Sequence, residues 1–253
     1  MSRSAQSSCT FLAVCGIVGY IGERDGLDVV LNGLRRLEYR GYDSAGVAIP
    51  SEGAIEWRKR AGKIANLEGE IAERPLPDTT VAIGHTRWAT HGAPTDQNSH
   101  PHVAGRVAIV HNGIIENHDQ LRGELGGVEF ASETDSEVAA HLLRAEVEGG
   151  KDLVAAMRSV VTKLEGAFTL VDVDATDPDR IVAARRNSPL VVGVGEGEYF
   201  LASDVAAFIA YTRDAIELGQ DQIIELTRDG VNVTTFDGAP AETKSFHVDW
   251  DLE

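Results

Sequence analysis

Apolar residues recur along this chain at two different periods. Between 27 and 37, Leu27, Val30, Leu31, Leu34 and Leu37 fall on one helical face. Elsewhere the apolar residues come in short continuous runs bounded by glycine, proline or polar clusters, the pattern of strands buried on both faces. The run CGIVGYI at 15–21 is of this kind, with glycines where backbone or ligand can approach closely. Runs like it predict strands over 15–21, 45–49, 55–60, 81–86, 107–111, 168–172, 181–184, 190–194, 199–202, 222–226 and 231–236. Helical spacing predicts helices over 27–37, 64–73, 120–125, 136–148, 153–164 and 205–211. Strands in adjacent pairs, with helices clustered between them, predict an α+β fold of largely antiparallel sheets covered by helices. The tail 242–253 is aromatic but has neither period, and it reads as a stub that leans on something.

Composition then removes several function classes. The 253 residues carry 40 acidic and 23 basic side chains, a formal charge of -17. That balance excludes nucleic acid or an anionic membrane as the main partner, because such binding needs Lys and Arg to displace counterions. No run of about 18 apolar residues exists, so no membrane-spanning helix is expected. Cys9 and Cys15 sit too close together to staple the chain and read as free thiols of a reducing, cytoplasmic setting. The first fourteen residues, MSRSAQSSCTFLAV, lack acidic side chains and lack the apolar stretch of roughly 7–15 residues a secretory signal needs. They read as a disordered extension or a misplaced start.

Candidate chemistry gathers in a few places. His85, His91, His100, His102, His111 and His118 lie close in sequence, but their spacing fits no compact zinc motif and no cysteine joins them. Hydrogen-bonded loop histidines are therefore expected, with no metal and no cofactor. The glycines of 193–197 precede no helix and no Walker lysine, and read as a hairpin turn. Cys15 is either a small buried hydrophobe or a nucleophile. Arg87-Trp88-Ala89-Thr90-His91, Asn112-Gly113 and Ser132-Glu133-Thr134-Asp135 each follow or flank a strand in a predicted loop. An Arg fork suits a carboxylate, an Asp an ammonium, and an Asn amide beside a glycine N–H an oxyanion. Together these describe an amino acid with an amide side chain, glutamine or asparagine.

At these residues the chain resembles the class II (N-terminal nucleophile) glutamine amidotransferases. The matching stretches are CGIVGYIG at 15–22, LRRLEYRGYDSAG at 34–46, GHTRWATHGAPT at 84–95 and NSHPH at 98–102. VHNGIIENH at 110–118, SETDSE at 132–137 and SPLVVGVG at 188–195 follow in the same order. The resemblance is to the branch whose glutaminase domain precedes a sugar-phosphate isomerase domain and supplies ammonia to fructose 6-phosphate. It implies a four-layer αββα sandwich of two antiparallel sheets flanked by helices. It also implies that Cys15 attacks the side-chain amide of L-glutamine, forms a glutamyl thioester and releases ammonia, with its own α-amino group as base. By the same resemblance Asn112 and Gly113 form the oxyanion hole. Arg87 takes the α-carboxylate with Thr90 and His91, Asp135 takes the α-ammonium, and Trp88 sits in the loop that closes over glutamine. Arg40 and Asp43 match a segment near the nucleophile and are expected to be structural support.

Two departures accompany the resemblance. The family's cysteine is the first residue of the mature chain, whereas fourteen residues precede Cys15. Either they are removed, or translation starts at Val14 from a GTG codon; otherwise the chain is a catalytically silent glutamine-binding module or subunit. The domain is expected over 15–240, with 241–253 beginning an interdomain linker and the isomerase domain absent.

Overall fold

The computed structural model describes residues 15–88 and 92–249 of the protein. Its strands are β1 (Gly16–Ile21), β2 (Ser44–Ser51), β3 (Ala54–Ala61), β4 (Val81–Arg87), β5 (His102–Ala104), β6 (Val107–Ile115) and β7 (Gly166–Asp174). They continue with β8 (Asp177–Arg186), β9 (Val191–Val194), β10 (Tyr199–Ala202), β11 (Asp214–Glu217), β12 (Gln222–Thr227), β13 (Gly230–Thr235) and β14 (Lys244–His247). The helices are α1 (Gly26–Arg36), α2 (Ile64–Glu73), α3 (His118–Glu124), α4 (Glu137–Glu148) and α5 (Leu153–Val161). One sheet has the order β14-β11-β9-β10-β1-β4-β2-β3, the other β13-β12-β8-β7-β6-β5, and the pairings within both are antiparallel.

The strand periodicity of two sorts side chains into layers. From β1 and β4, Ile17, Ile21, Val81 and Ile83 point toward Ala108, Val110, Val171, Val173, Ile181 and Ala183 of the other sheet. Their neighbours Val18, Tyr20 and Ala82 point the opposite way, onto Val30 and Leu34 of α1 and Leu67 of α2. On the far side, Val107, Ile109, Phe168, Leu170 and Val182 meet Val138 and Leu143 of α4 and Met157 and Val160 of α5. The result is four layers: helix, sheet, sheet, helix. Central strands are covered on both faces, which is why they read as unbroken apolar runs. Each fully buried Leu, Ile or Phe contributes roughly 1.5–3 kcal/mol.

Local chemistry starts the helices where the fold needs them. The Asp25 side chain accepts hydrogen bonds from the N–H groups of Leu27 and Asp28, capping α1, while Arg35 and Arg36 occupy its last turn. Asp152 caps α5 through the N–H of Ala155. No helix among the described residues is long and apolar enough to cross a membrane.

The structure corrects several element boundaries. β6 runs past 111 to Ile115, so Asn112 and Gly113 lie within a strand paired to Thr169 and Phe168 rather than in a loop. Only a 3-10 turn, Val205–Ala207, forms where a helix over 205–211 is predicted. The Phe208 ring there packs on Phe200 and against the Gly193 backbone, so contact with the sheet overrides local helical spacing. Three short strands, β5, β11 and β14, carry no signal in the sequence. β14 is exposed along its length and so has no apolar alternation, yet it pairs with β11, and Val248 beyond it is buried.

β2 and the segment bearing His100 approach closely. A Cβ on Gly46 would overlap the carbonyl oxygen of His100 and the Lys59 side chain, whereas Gly123 in α3 faces open space. Gly46→Ala is expected to lower the urea midpoint, by the equivalent of about 1–3 kcal/mol for overpacking. Gly123→Ala should leave it unchanged or raise it, by up to about 1 kcal/mol from helix propensity.

Candidate active site

Cys15 stands immediately before β1, and the β1–β4 ladder, with Gly16 opposite Thr86, carries Arg87 and Trp88 to its side. The Trp88 N–H points at the Cys15 Sγ at 3.1 Å, and the thiol lies 3.6 Å from the Trp88 carbonyl oxygen. Gly16 N–H donates to Thr86 Oγ1 and Ile17 N–H to Ser203 Oγ, each at 3.1 Å, fixing the backbone that holds Cys15. From the opposite sheet, Asn112 Nδ2 donates to the Cys15 carbonyl oxygen at 2.7 Å, so the two sheets meet at this point. Gly113 follows at φ 123°, with Ala167 so close that a Cβ would overlap its carbonyl oxygen. Only glycine fits that position.

Asp135 comes from the turn ahead of α4. Its Oδ2 accepts the Ile115 N–H at 2.7 Å and its Oδ1 the Ser136 hydroxyl at 3.4 Å, leaving carboxylate lone pairs for a further donor. The turn itself is held by Glu137, which accepts from Ala131 N–H at 2.8 Å, Ser132 N–H at 2.7 Å and the Ser132 hydroxyl at 2.6 Å. Burial alone would push the Glu137 carboxyl up, but His141, Ser132 and the two N–H groups pull it down to about 2. Arg87 reaches the carbonyl oxygens of Gly92 and Ala93, each at 3.3 Å.

Behind Asn112 lies a cluster of buried imidazoles. His85 Nε2 is 2.9 Å from both the His111 carbonyl oxygen and Asn112 Oδ1. Two acceptors face that nitrogen, so it carries the proton. His85 Nδ1 is then an acceptor, and His100 Nδ1, 3.1 Å away, donates to it. His111 Nδ1 pairs with Ser136 Oγ at 2.8 Å and His102 Nε2 with Thr134 Oγ1 at 3.0 Å, linking the imidazoles to the Asp135 turn. Burial drives the His85 pKa down to about 3 and holds His100, His102 and His111 below the usual imidazole range. The cluster is uncharged at neutral pH. These histidines sit on or beside strands, not in the loops expected for them, and among the described residues no group of three or more His, Cys, Asp or Glu is placed to hold a metal.

Cys15, Arg87, Trp88, Asn112, Gly113 and Asp135 border a single pocket of about 500 Å³, together with His100, His111, Ser188 and Pro189. Trp88 is 46% exposed at its rim. Thr90 and His91 lie outside the described residues. Burial raises the Cys15 thiol above its ordinary pKa; the Trp88 N–H and the Arg87 charge oppose that, and Asp43 adds to it. Arg40 pairs with Asp204, and the Asp43 N–H donates to the Arg87 carbonyl oxygen at 2.7 Å, so both brace the segment beside Cys15. Sequence reasoning passed over Glu137, Ser136 and Ser203 as parts of the site. The Ser-x-x-x-x-Glu spacing of 132–137 ahead of an apolar helical run was the available signal for Glu137.

Two antiparallel sheets between helices, with a cysteine at the head of a central strand and an Asn-Gly facing it, define an N-terminal nucleophile amidotransferase fold. A family described as "Glutamine amidotransferase domain" matches residues 85–210, and the chain belongs to the glutamine amidotransferases. It is similar to the glutamine--fructose-6-phosphate aminotransferase [isomerizing] of Streptomyces coelicolor, 66% identical over 94% of this chain and 39% of that protein. The proteins of the same name from Corynebacterium efficiens and Mycobacterium tuberculosis are 60% and 53% identical over 94% of this chain and 40% of their own length. The chain thus spans about two fifths of these relatives. Among solved structures it resembles the glutamine phosphoribosylpyrophosphate amidotransferase of B. subtilis, with TM-score 0.74 and 25% identity over 88% of this chain and 49% of that one. A class-II domain protein from Silicibacter pomeroyi shares the fold at TM-score 0.61 and 18% identity, over 88% of this chain and 99% of that one.

The depressed Glu137 pKa has a thermodynamic consequence. A carboxyl held at about 2 against an ordinary 4.5 stabilises the fold above the unfolded value, and that stability is lost as pH falls through the folded one. Glu137→Gln should therefore be less stable than wild type at pH 7 in urea titrations. The gap between the two should narrow as pH drops from about 4.5 toward 2.

Proposed function

We propose that this domain hydrolyses L-glutamine to L-glutamate and ammonia at Cys15. In a longer enzyme with a sugar-phosphate isomerase domain, the ammonia would pass to fructose 6-phosphate to make glucosamine 6-phosphate. One observation carries the reading: the Cys15 thiol, the Asn112 amide, the Arg87 guanidinium and the Asp135 carboxylate all border one pocket. Its volume, about 500 Å³, suits a small molecule. The relatives' shared name supports the acceptor.

Arg87 would hold the α-carboxylate, with Thr90 and His91 beside it, and Asp135 the α-ammonium. That places the side-chain amide at Cys15. The sulfur attacks the amide carbon, and negative charge on the oxygen is met by the second Asn112 Nδ2 proton and the Gly113 N–H. The carbon–nitrogen bond breaks, and the nitrogen takes the thiol's proton and leaves as ammonia. Water then opens the thioester, giving glutamate and restoring the thiol.

The proton needs a carrier. Burial raises the Cys15 thiol, and it lowers the pKa values of the imidazoles bordering the pocket, which makes them weak bases. A free α-amine, with pKa about 7.7–8.0, is suited to the task, whereas an amide nitrogen is not. Activity therefore belongs to the form that begins at Cys15. Trp88 at the rim would close over bound glutamine. A reducing cytoplasm suits the free thiol.

Protein beginning at Cys15 should release glutamate and ammonia from glutamine, and protein retaining residues 1–14 should not. Asn112→Ala should lower kcat about 10²–10³-fold, as loss of one oxyanion donor does. Asp135→Asn should raise KM about tenfold or more, from loss of a charged hydrogen bond. Glutamine binding without turnover in the form beginning at Cys15 would mean a silent glutamine-binding module and would sink the enzyme reading.

A further inference from the structure

We propose that His85 is a positioning residue for Asn112: its Nε2–H, fixed by the His100 imidazole behind it, holds the Asn112 amide with Nδ2 rather than Oδ1 toward the nucleophile. The proposal rests on the glutaminase reading for its consequence, but the geometry behind it does not.

The two ends of an Asn side-chain amide are alike in shape and opposite in hydrogen bonding. Nothing steric prevents a flip; only the neighbours decide which end faces Cys15. Here there are two such neighbours, the Cys15 carbonyl oxygen on Nδ2 at 2.7 Å and His85 Nε2 on Oδ1 at 2.9 Å. The Cys15 carbonyl takes one Nδ2 proton and leaves the second for a substrate oxyanion. His85 secures the opposite end, Oδ1, from the side away from the substrate. A flipped amide would turn an oxygen lone pair toward the developing negative charge.

The His85 proton position is itself determined. Asn112 Oδ1 and the His111 carbonyl oxygen both face Nε2, and His100 Nδ1 faces Nδ1. A His85 protonated on Nδ1 alone would withdraw its donor from those two acceptors, and it would force the His100 proton onto Nε2, where no acceptor among the described residues meets it. With the rings so arranged, His100 presents an unprotonated Nε2, buried and without a hydrogen-bond partner among the described residues. An unsatisfied buried nitrogen is a cost, which the arrangement accepts while keeping His85 in one tautomer.

The test compares His85→Leu, His85→Gln, Asn112→Ala and the double variant H85L/N112A in protein beginning at Cys15. His85→Leu should lower kcat about 10–100-fold, short of outright loss of the donor, with KM changed less than about threefold, since Arg87 and Asp135 are untouched. His85→Gln, whose Nε2 can donate from a similar place, should recover most of the rate. In the Asn112→Ala background, His85→Leu should cost less than about twofold, because the group it acts through is gone. Equal losses in both backgrounds, or an unchanged kcat in His85→Leu, would overturn the proposal.

Nitrogen-15 spectra of the histidine rings and the Asn112 amide decide it without turnover. His85 should show a protonated Nε2 and a bare Nδ1, and His85→Leu should strip exchange protection from the Asn112 amide protons. A proton on His85 Nδ1, or unaltered Asn112 protection, would overturn the positioning role. Protein with no turnover but the expected spectra would instead count against the glutaminase reading.

Discussion

The separation of the two sheets is the constraint on which the site depends. It is set by an apolar layer in which Ile17, Ile83, Val110, Val171 and Ala183 interdigitate, and close packing leaves such a layer little freedom to thicken or thin. At one end the side chains change from apolar to polar within a residue or two along β4 and β6. His85 follows Ile83 on the same face, and Asn112 follows Val110. The same packing that buries the hydrophobes therefore brings an imidazole, an amide and the head of β1 within hydrogen-bonding distance. A shift of one residue in the β1–β4 ladder would carry Cys15 away from Arg87 and reverse every inward side chain.

Polar groups at the end of an apolar layer are costly unless each finds a partner. A connected set meets this for all but His100 Nε2 and His111 Nε2: His85 with Asn112 and His100, His111 with Ser136, His102 with Thr134, Thr134 with Ser132, and Ser132 with Glu137. Asparagine amide and aspartate turn are parts of one network, so the residues proposed to stabilise the oxyanion and to bind the ammonium are ordered by the same bonds. Burial lowers the imidazole pKa values and so makes these rings weak bases, which gives the α-amine its place in the proposed chemistry.

Much of this was legible in the sequence, and for definable reasons. Central strands such as 17–21 and 107–111 are buried on both faces, so their apolar runs announce them. α1 has one buried face and a capping Asp25. Cys15, Arg87, Asn112, Gly113 and Asp135 stood out because each belongs to a dense ordered motif. Edge strands such as β14 did not, because an exposed edge imposes no apolar pattern. The histidines read as loop residues because imidazoles interrupt an apolar run much as a loop does, and their partners lie 15 to 32 residues away in sequence. Asn112 and Gly113 read as a loop for the same reason, although the ladder with β7 continues through them.

Lys59 carries the same logic one layer outward. Its ammonium donates to the carbonyl oxygens of Gln97, Ser99 and Pro101 at 3.3, 2.8 and 3.0 Å, gathering the segment that bears His100. Burial lowers its pKa to about 8, from an ordinary 10.5. Because the folded value is the lower one, the charged ammonium opposes folding below pH 8, and that opposition is relieved as pH rises toward the unfolded value. An apolar side chain at this position would escape the desolvation cost but leave three carbonyl oxygens without a common donor. Those carbonyls belong to a segment that passes within contact distance of Gly46 and carries the imidazole behind His85. The cost is thus incurred where backbone order bears on Asn112, through His100 and His85.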